Sequence, residues 1–253
     1  MAGSRVISYA NIFGSILPPN LKQPLTPQAL KRLEDKGESI GISRLMMMEN
    51  AGSAVASVAL KELLKKSSLS RRVEEGGKLK IVCIAGTGNN GGDVFAAARH
   101  LAYWQKVLQI TLFLVGDPEK IKAPEAKTNW EILAQIPAIK IIPIRSSSEL
   151  LTLRQALRNA NTVIVGIFGT GFHGEPEGIH KDVIETINET ESLTTKISVD
   201  IPSGLNAKTG KGIHVVKSDI TVTMHAPKVG MLKDRTSLRQ CGKIIVANIG
   251  LPF

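Results

Sequence analysis

The chain has 253 residues, 43% of them apolar and 21% charged, enough for a domain of about 200–250 residues with its own core and too apolar for global disorder. Two cysteines, Cys83 and Cys241, exclude a disulfide framework or a zinc knuckle. The longest apolar runs, such as Ile110 to Val115 and Thr162 to Phe168, fall far short of the roughly 18 residues that span a bilayer. A reducing, cytoplasmic setting is the expectation.

The 32 basic residues against 22 acidic ones give a net charge of +10. Eight basic residues against Asp219 and Asp234 place +6 of it between Pro202 and Phe253. Such a region attracts phosphates, but aromatics make up only 4% and do not interleave with the basic positions in sequence. A solvated basic face is favoured over a nucleic-acid site.

Residues 1–24 read as an amino-terminal arm, and 25–253 as one domain. No acidic residue precedes Glu34, a bias shared with targeting peptides, so an organellar address stays open. Yet Arg5 is the sole charge in the first 21 residues and Pro18-Pro19 interrupts any helix, which favours a plain arm.

Thr26-Pro27 opens a predicted helix through about Lys36, an N-cap followed by proline in the first turn. A second is predicted from about Ser43 to Lys66, with Met46 to Met48 as adaptable packing. Ser67 to Gly77 is a polar connection. Predicted strands then lie near 79–85, 107–115, 139–144, 161–167, 196–200, 219–224 and 243–249, with helices over 93–104, 123–134, 148–158 and 178–190. Cys83 falls in a strand and Cys241 in a distant loop. Because the strands are continuous apolar runs, helices should cover both faces of a parallel sheet. The expectation is an α/β fold with three layers, Rossmann-like and doubly wound on a mostly parallel sheet.

Ligands of such sheets bind outside the carboxyl ends of the strands, so the loops there carry the chemistry. The first loop is Gly86-Thr87-Gly88-Asn89-Asn90-Gly91-Gly92-Asp93. Its glycines at 86, 88 and 91 satisfy G-x-G-x-x-G between a strand and a helix, where free amides favour anions. Asp93 reads either as an acceptor for ligand hydroxyl or amide groups or as a helix-terminus residue. Asn89 and Asn90 read either as ligand contacts or as turn residues with positive φ.

The second loop is Phe168-Gly169-Thr170-Gly171-Phe172-His173-Gly174, able to wrap a phosphate with backbone amides. The third is Asp200-Ile201-Pro202-Ser203-Gly204, whose carboxylate ends a central strand where catalytic acids and bases commonly sit. No metal-ligand spacing links the five histidines, and neither a Walker loop nor a G-x-S-x-G elbow is present.

Met48-Glu49-Asn50-Ala51-Gly52, Gly88 to Asp93, Ile167 to Gly171, Val199 to Gly204 and Ala226-Pro227-Lys228 occur in the order found in the YjeF N-terminal domain family. The chain resembles that family over about Leu25 to Pro252. The resemblance implies an NAD(P)HX epimerase, an isomerase that interconverts the two epimers of hydrated NADH or NADPH so that a separate dehydratase can repair either. It implies a homodimer, while composition and hydropathy give the expectation of no membrane association and disfavour a nucleic-acid partner.

Carried over by position, Asn89, Asn90, Gly91, Gly92 and Asp93, and the loop Gly169, Thr170, Gly171, Phe172, His173 and Gly174, bind the dinucleotide. Asp200 is the first choice for the proton-handling group and Asp93 the second. Lys228 stabilises negative charge or holds a phosphate. Asn90 and Ser203 supply oxygen ligands to a potassium ion, for which hard oxygens are suited.

Two departures stand out. Gly166 occupies the place of a family aspartate that would ligate the ion, and Val94 that of a family glycine. From Gly166 alone, Gly166→Asp is expected to tighten ion binding. The rival reading is a catalytically silent nucleotide-binding or dimerisation scaffold, possible in a fold that also resembles enhancers of mRNA decapping and associates with RNA there.

Overall fold

The structure, a computed structural model, describes residues 8–9, 23–65, 73, 76–190 and 193–252. The arm other than Ser8–Tyr9 and residues 23–24, and most of the connection predicted at 67–77, lie outside them. Eight strands form one sheet: β1 Ser8–Tyr9, β2 Leu79–Ala85, β3 Leu108–Val115, β4 Ile139–Ile144, β5 Thr162–Gly166, β6 Thr195–Val199, β7 Ile220–Met224 and β8 Lys243–Ala247. Their spatial order is β1-β8-β7-β6-β5-β2-β3-β4, and every pairing is parallel.

Around the sheet, among the described residues, lie helices α1 Pro27–Ser39, α2 Arg44–Leu64, α3 Asn89–Ala102, α4 Pro124–Leu133, α5 Leu150–Arg158, α6 Gly178–Asn188 and α7 Arg235–Cys241. Thr26 and Ser43 cap α1 and α2 by accepting the Ala29 and Met46 amides, satisfying donors that a helix start leaves open. One core packs α2, α3 and α4 on a face of the sheet, and a second packs α5 and α6 on the other. The three-layer, doubly wound reading therefore holds.

The largest boundary difference is α3, which begins at Asn89 rather than 93. Asn89 to Asp93 form its first turns and have no positive φ, so the asparagines are helical rather than turn residues. Cys241 ends α7, a helix the sequence did not announce. Burial pushes the Cys83 and Cys241 thiols up to about 12, which removes both as thiolate nucleophiles. Among the described residues no helix is long and apolar enough to cross a membrane.

Candidate active site

Chain direction along the sheet reverses between β2 and β5, and at such a switch point the loops part to leave a crevice. A cleft of about 940 Å³ opens there. The loops after β2 and β5 form its floor, and α1 and the start of α2 form one wall.

The glycines let these loops meet. A Cβ on Gly86 would stand 2.2 Å from the Ile167 carbonyl oxygen, and one on Gly91 would stand 1.9 Å from the Gly86 oxygen. Gly91 and Gly92 are thus buried packing positions inside α3 and do not line the cleft. Asn89, Asn90, Asp93, Gly169, Thr170, Gly171, Phe172, His173 and Asp200 do. Gly174, Ser203 and Lys228 do not.

Lys228 is fully buried beneath the floor. Its Nζ donates to Asp200 Oδ1, to Thr223 Oγ1 at 2.8 Å and to the Met224 carbonyl at 3.1 Å. All three ammonium protons are committed, so Lys228 cannot reach a phosphate in the cleft, one of its two sequence-based roles. Asp200 Oδ1 also accepts the Met224 amide at 3.3 Å, rather than capping its own turn.

Two rare turns hold this pair. Asp200 and His225 are the described non-glycine residues with positive φ, each at 63°. The Ile201 amide donates to the Val199 carbonyl and the Ala226 amide to the Met224 carbonyl, both at 2.7 Å. Each residue is therefore the centre of a γ-turn of the strained hand. The second turn fixes Met224, whose N–H grips Asp200 and whose carbonyl grips Lys228. Sequence reasoning missed His225 because nothing in residue type announces positive φ. Burial and the Lys228 charge hold its imidazole below the ordinary range.

Asp93 faces a different environment. Its carboxyl makes no hydrogen bond with another described residue, and α3 is capped by Gly88 without it, so it does not serve as a helix-terminus cap. Burial, reinforced by the charges of Asp200 and Glu34, raises it well above the usual carboxylate range, against the opposing pull of Lys228. Glu34, on α1, is raised by burial while Arg44 pulls it down, and Arg44 also bonds Glu38 at 2.8 Å. This wall therefore gathers Glu34, Asp35 and Glu38 around the Arg44 guanidinium.

Ser203 Oγ accepts the Ile167 and Phe168 amides, both at 3.1 Å, and donates to the Phe168 carbonyl at 3.2 Å. Its hydrogen-bonding capacity is used in bracing the second loop. Asn90 donates to the same carbonyl at 2.8 Å, while its buried Oδ1 has no partner. Phe168 and Phe172 stack with ring centroids 3.9 Å apart.

Gly166 has a steric explanation. A Cβ there would stand 2.6 Å from the Asn90 carbonyl oxygen and 2.5 Å from Val94 Cγ2. The backbone contact means that any side chain at 166 requires the first turn of α3 to shift, whatever residue occupies 94. An aspartate at 166 would displace the first turn of α3, so the expected gain in ion affinity from Gly166→Asp competes with a loss of stability. Gly166→Asp and Gly166→Ala should each destabilise the fold by about 1–3 kcal/mol through overpacking, read as a lower midpoint in urea. An unchanged midpoint for Gly166→Ala would contradict this packing.

An α/β protein with a doubly wound parallel sheet and a cleft at its switch point belongs among the Rossmann-like folds. The chain is a member of the YjeF-related protein N-terminus family, whose model matches residues 44–230. It is 36% identical over 229 residues to the NAD(P)H-hydrate epimerase of Cenarchaeum symbiosum, covering 90% of this chain and 95% of that one. It is 38% identical over 235 residues to the bifunctional NAD(P)H-hydrate repair enzyme Nnr of Hyperthermus butylicus, covering 92% of this chain and spanning 39% of that relative's length. The crystal structure of yeast YNL200c superposes with a TM-score of 0.69 at 22% identity, covering 84% of each chain, and supports the fold alone.

Proposed function

We propose that this chain is an NAD(P)H-hydrate epimerase acting on the two epimers of NADHX or NADPHX. The carrying observation is the pair of carboxyl groups on one cleft with opposite surroundings, Asp93 without a partner and raised, Asp200 clamped by Lys228 and Met224. A carboxyl raised by burial and left without a partner suits a general acid.

In this reading Asp93, rather than Asp200, handles the proton. Its neutral carboxyl protonates the C6 hydroxyl, which leaves as water while the ring nitrogen lone pair forms the C=N⁺ bond. Water then adds to the other face of C6 and returns a proton to Asp93, so the reaction is redox-neutral. Asp200 faces the positive ring, and its clamp supplies orientation without rearrangement during the step. The loop from Gly169 to Gly174 and the amides at Asn89 and Asn90 hold the dinucleotide.

A potassium ion fits Asn90, whose buried Oδ1 is an unpartnered hard oxygen. The ion would supply fixed positive charge beside the phosphate loops. Ser203, named as a second ligand by resemblance, supports the site by holding the Phe168 carbonyl. Assembly as a homodimer and work beside a separate dehydratase belong to the same reading.

The test is a coupled assay on mixed NADHX epimers with a dehydratase that consumes one of them. Conversion should stall with dehydratase alone and go to completion when this protein is added. A persistent stall, with NADH or ADP-ribose still raising the melting temperature, would favour the silent nucleotide-binding scaffold.

A further inference from the structure

The strand order β4-β3-β2-β5-β6-β7 is that of a dinucleotide-binding doubly wound sheet, in which the strand following the first glycine loop and its helix ends beside the adenosine ribose. Here that strand is β3. In the epimerase reading the nicotinamide meets Asp200 at the end of β6 and the pyrophosphate meets the start of α3, so the adenosine half extends past the first glycine loop toward β3.

Beyond the end of β3, Gly116 turns the chain at a φ of 114°, and its amide donates to the Ile144 carbonyl at 2.9 Å. Because β3 and β4 pair in parallel, this sets Asp117 beside Arg145, the residue that follows β4. Asp117 Oδ1 accepts from Arg145 Nε, and Lys120 Nζ stands 3.8 Å from Asp117 Oδ2. An acid at this place in the fold accepts from a ribose 2′-hydroxyl when it is free. Here two cations engage it. Arg145 uses Nε alone for the contact, so its outer guanidinium edge bonds no other described residue, and Lys120 is too distant for a hydrogen bond. Glu119, exposed on the same turn, pairs with neither cation.

The cluster adjoins the cleft at two points. A Cβ on Gly116 would stand 3.3 Å from Thr87 Cγ2, and Thr87 lines the cleft. Burial, and then the Lys120 charge, hold His180, another lining residue, below the ordinary imidazole range. Asp117, Lys120 and Arg145 stand just outside the lining itself, where a group projecting from the ribose reaches them.

We propose that Lys120 and Arg145 bind the 2′-phosphate of the adenosine ribose and make this chain prefer NADPHX to NADHX. The free edge of Arg145 offers two parallel donors to phosphate oxygens, and Lys120 adds a mobile point charge. Asp117 is a positioning residue that holds the guanidinium through Nε. Engaged in this way, it is a poor acceptor for the bare 2′-hydroxyl of NADHX. The assignment rests on the epimerase reading for the presence of a dinucleotide in the cleft.

The test is titration calorimetry of the full chain with NADP⁺ and NAD⁺, which carry the adenosine halves of the two hydrates. NADP⁺ should bind on the order of tenfold tighter than NAD⁺. Lys120→Gln/Arg145→Gln should bring NADP⁺ to the affinity of NAD⁺ while leaving NAD⁺ within about twofold of its parent value. Lys140→Gln/Lys217→Gln, which removes the same charge near the opposite edge of the sheet, should preserve the preference. All four side chains are exposed, and melting curves of both variants check their folding. Equal affinities in the parent overturn the proposal and leave the epimerase reading standing. A preference for NADP⁺ that survives Lys120→Gln/Arg145→Gln also overturns it, since the charge responsible then lies elsewhere. Binding of neither dinucleotide overturns the proposal together with the reading of the cleft.

Discussion

Asp200→Asn is expected to unfold at a temperature about 6–20 °C below the parent, as well as to lose activity. The size follows from Lys228, which is 0% exposed while the Asp200 side chain is 11% exposed. Removing one partner of a buried pair strands the other charge, at a cost of about 3–5 kcal/mol. For a chain of this size each kcal/mol corresponds to about 2–4 °C. Shape does not enter, since asparagine keeps an acceptor for the Met224 amide and tolerates the positive φ at 200.

The double variant Asp200→Asn/Lys228→Met removes both charges and should recover most of the lost stability, because an apolar side chain of similar volume replaces the ammonium. It should not recover turnover. The coupling energy from the four proteins of this cycle measures the pair directly. A single Asp200→Asn protein melting within a degree of the parent would show that Lys228 carries no buried charge facing it.

The strands from β2 onward and the helices on both faces were legible because a doubly wound sheet writes itself as alternating apolar runs and helical spacing. Three features were not legible, each for a local reason. Gly91-Gly92 reads as a helix breaker, yet α3 runs through both. Side chains there would meet the Gly86 carbonyl and Met48 Sδ, so packing overrides propensity. The γ-turns at Asp200 and His225 are braced by bonds from their own amides to the Val222 and Ala247 carbonyls on neighbouring strands, which no local window contains. At Gly166 the resemblance points to a missing ligand, while the close approach of β5 to the first turn of α3, which no local window shows, also favours glycine. The loops themselves were correctly singled out, but their residues divide into cleft walls such as Asn89 and Asp93 and buried supports such as Gly91, Ser203 and Lys228.

That division makes Asp93→Asn the sharpest separation of stability from activity. The native carboxyl is raised by burial first and by Asp200 and Glu34 next. A group raised on folding contributes stability that is fully present below its unfolded value and is lost as pH rises through the folded one. At neutral and higher pH the parent therefore bears the cost of a half-buried, unpartnered acid, which asparagine does not bear. The variant should melt above the parent at pH 8, and the difference should vanish toward pH 4. Activity should move the other way, since asparagine cannot deliver a proton, and loss of a general acid costs about a hundred- to ten-thousandfold in rate. A more stable protein with far lower turnover is the signature of a site whose chemistry is maintained at the expense of the fold. In the parent, kcat should fall as pH rises through the raised Asp93 value, and that limb should be absent from the residual activity of the variant. An Asp93→Asn protein that is no more stable at pH 8 and turns over within threefold of the parent would return the proton to Asp200, whose clamped oxygen would then have to leave Lys228 in each cycle.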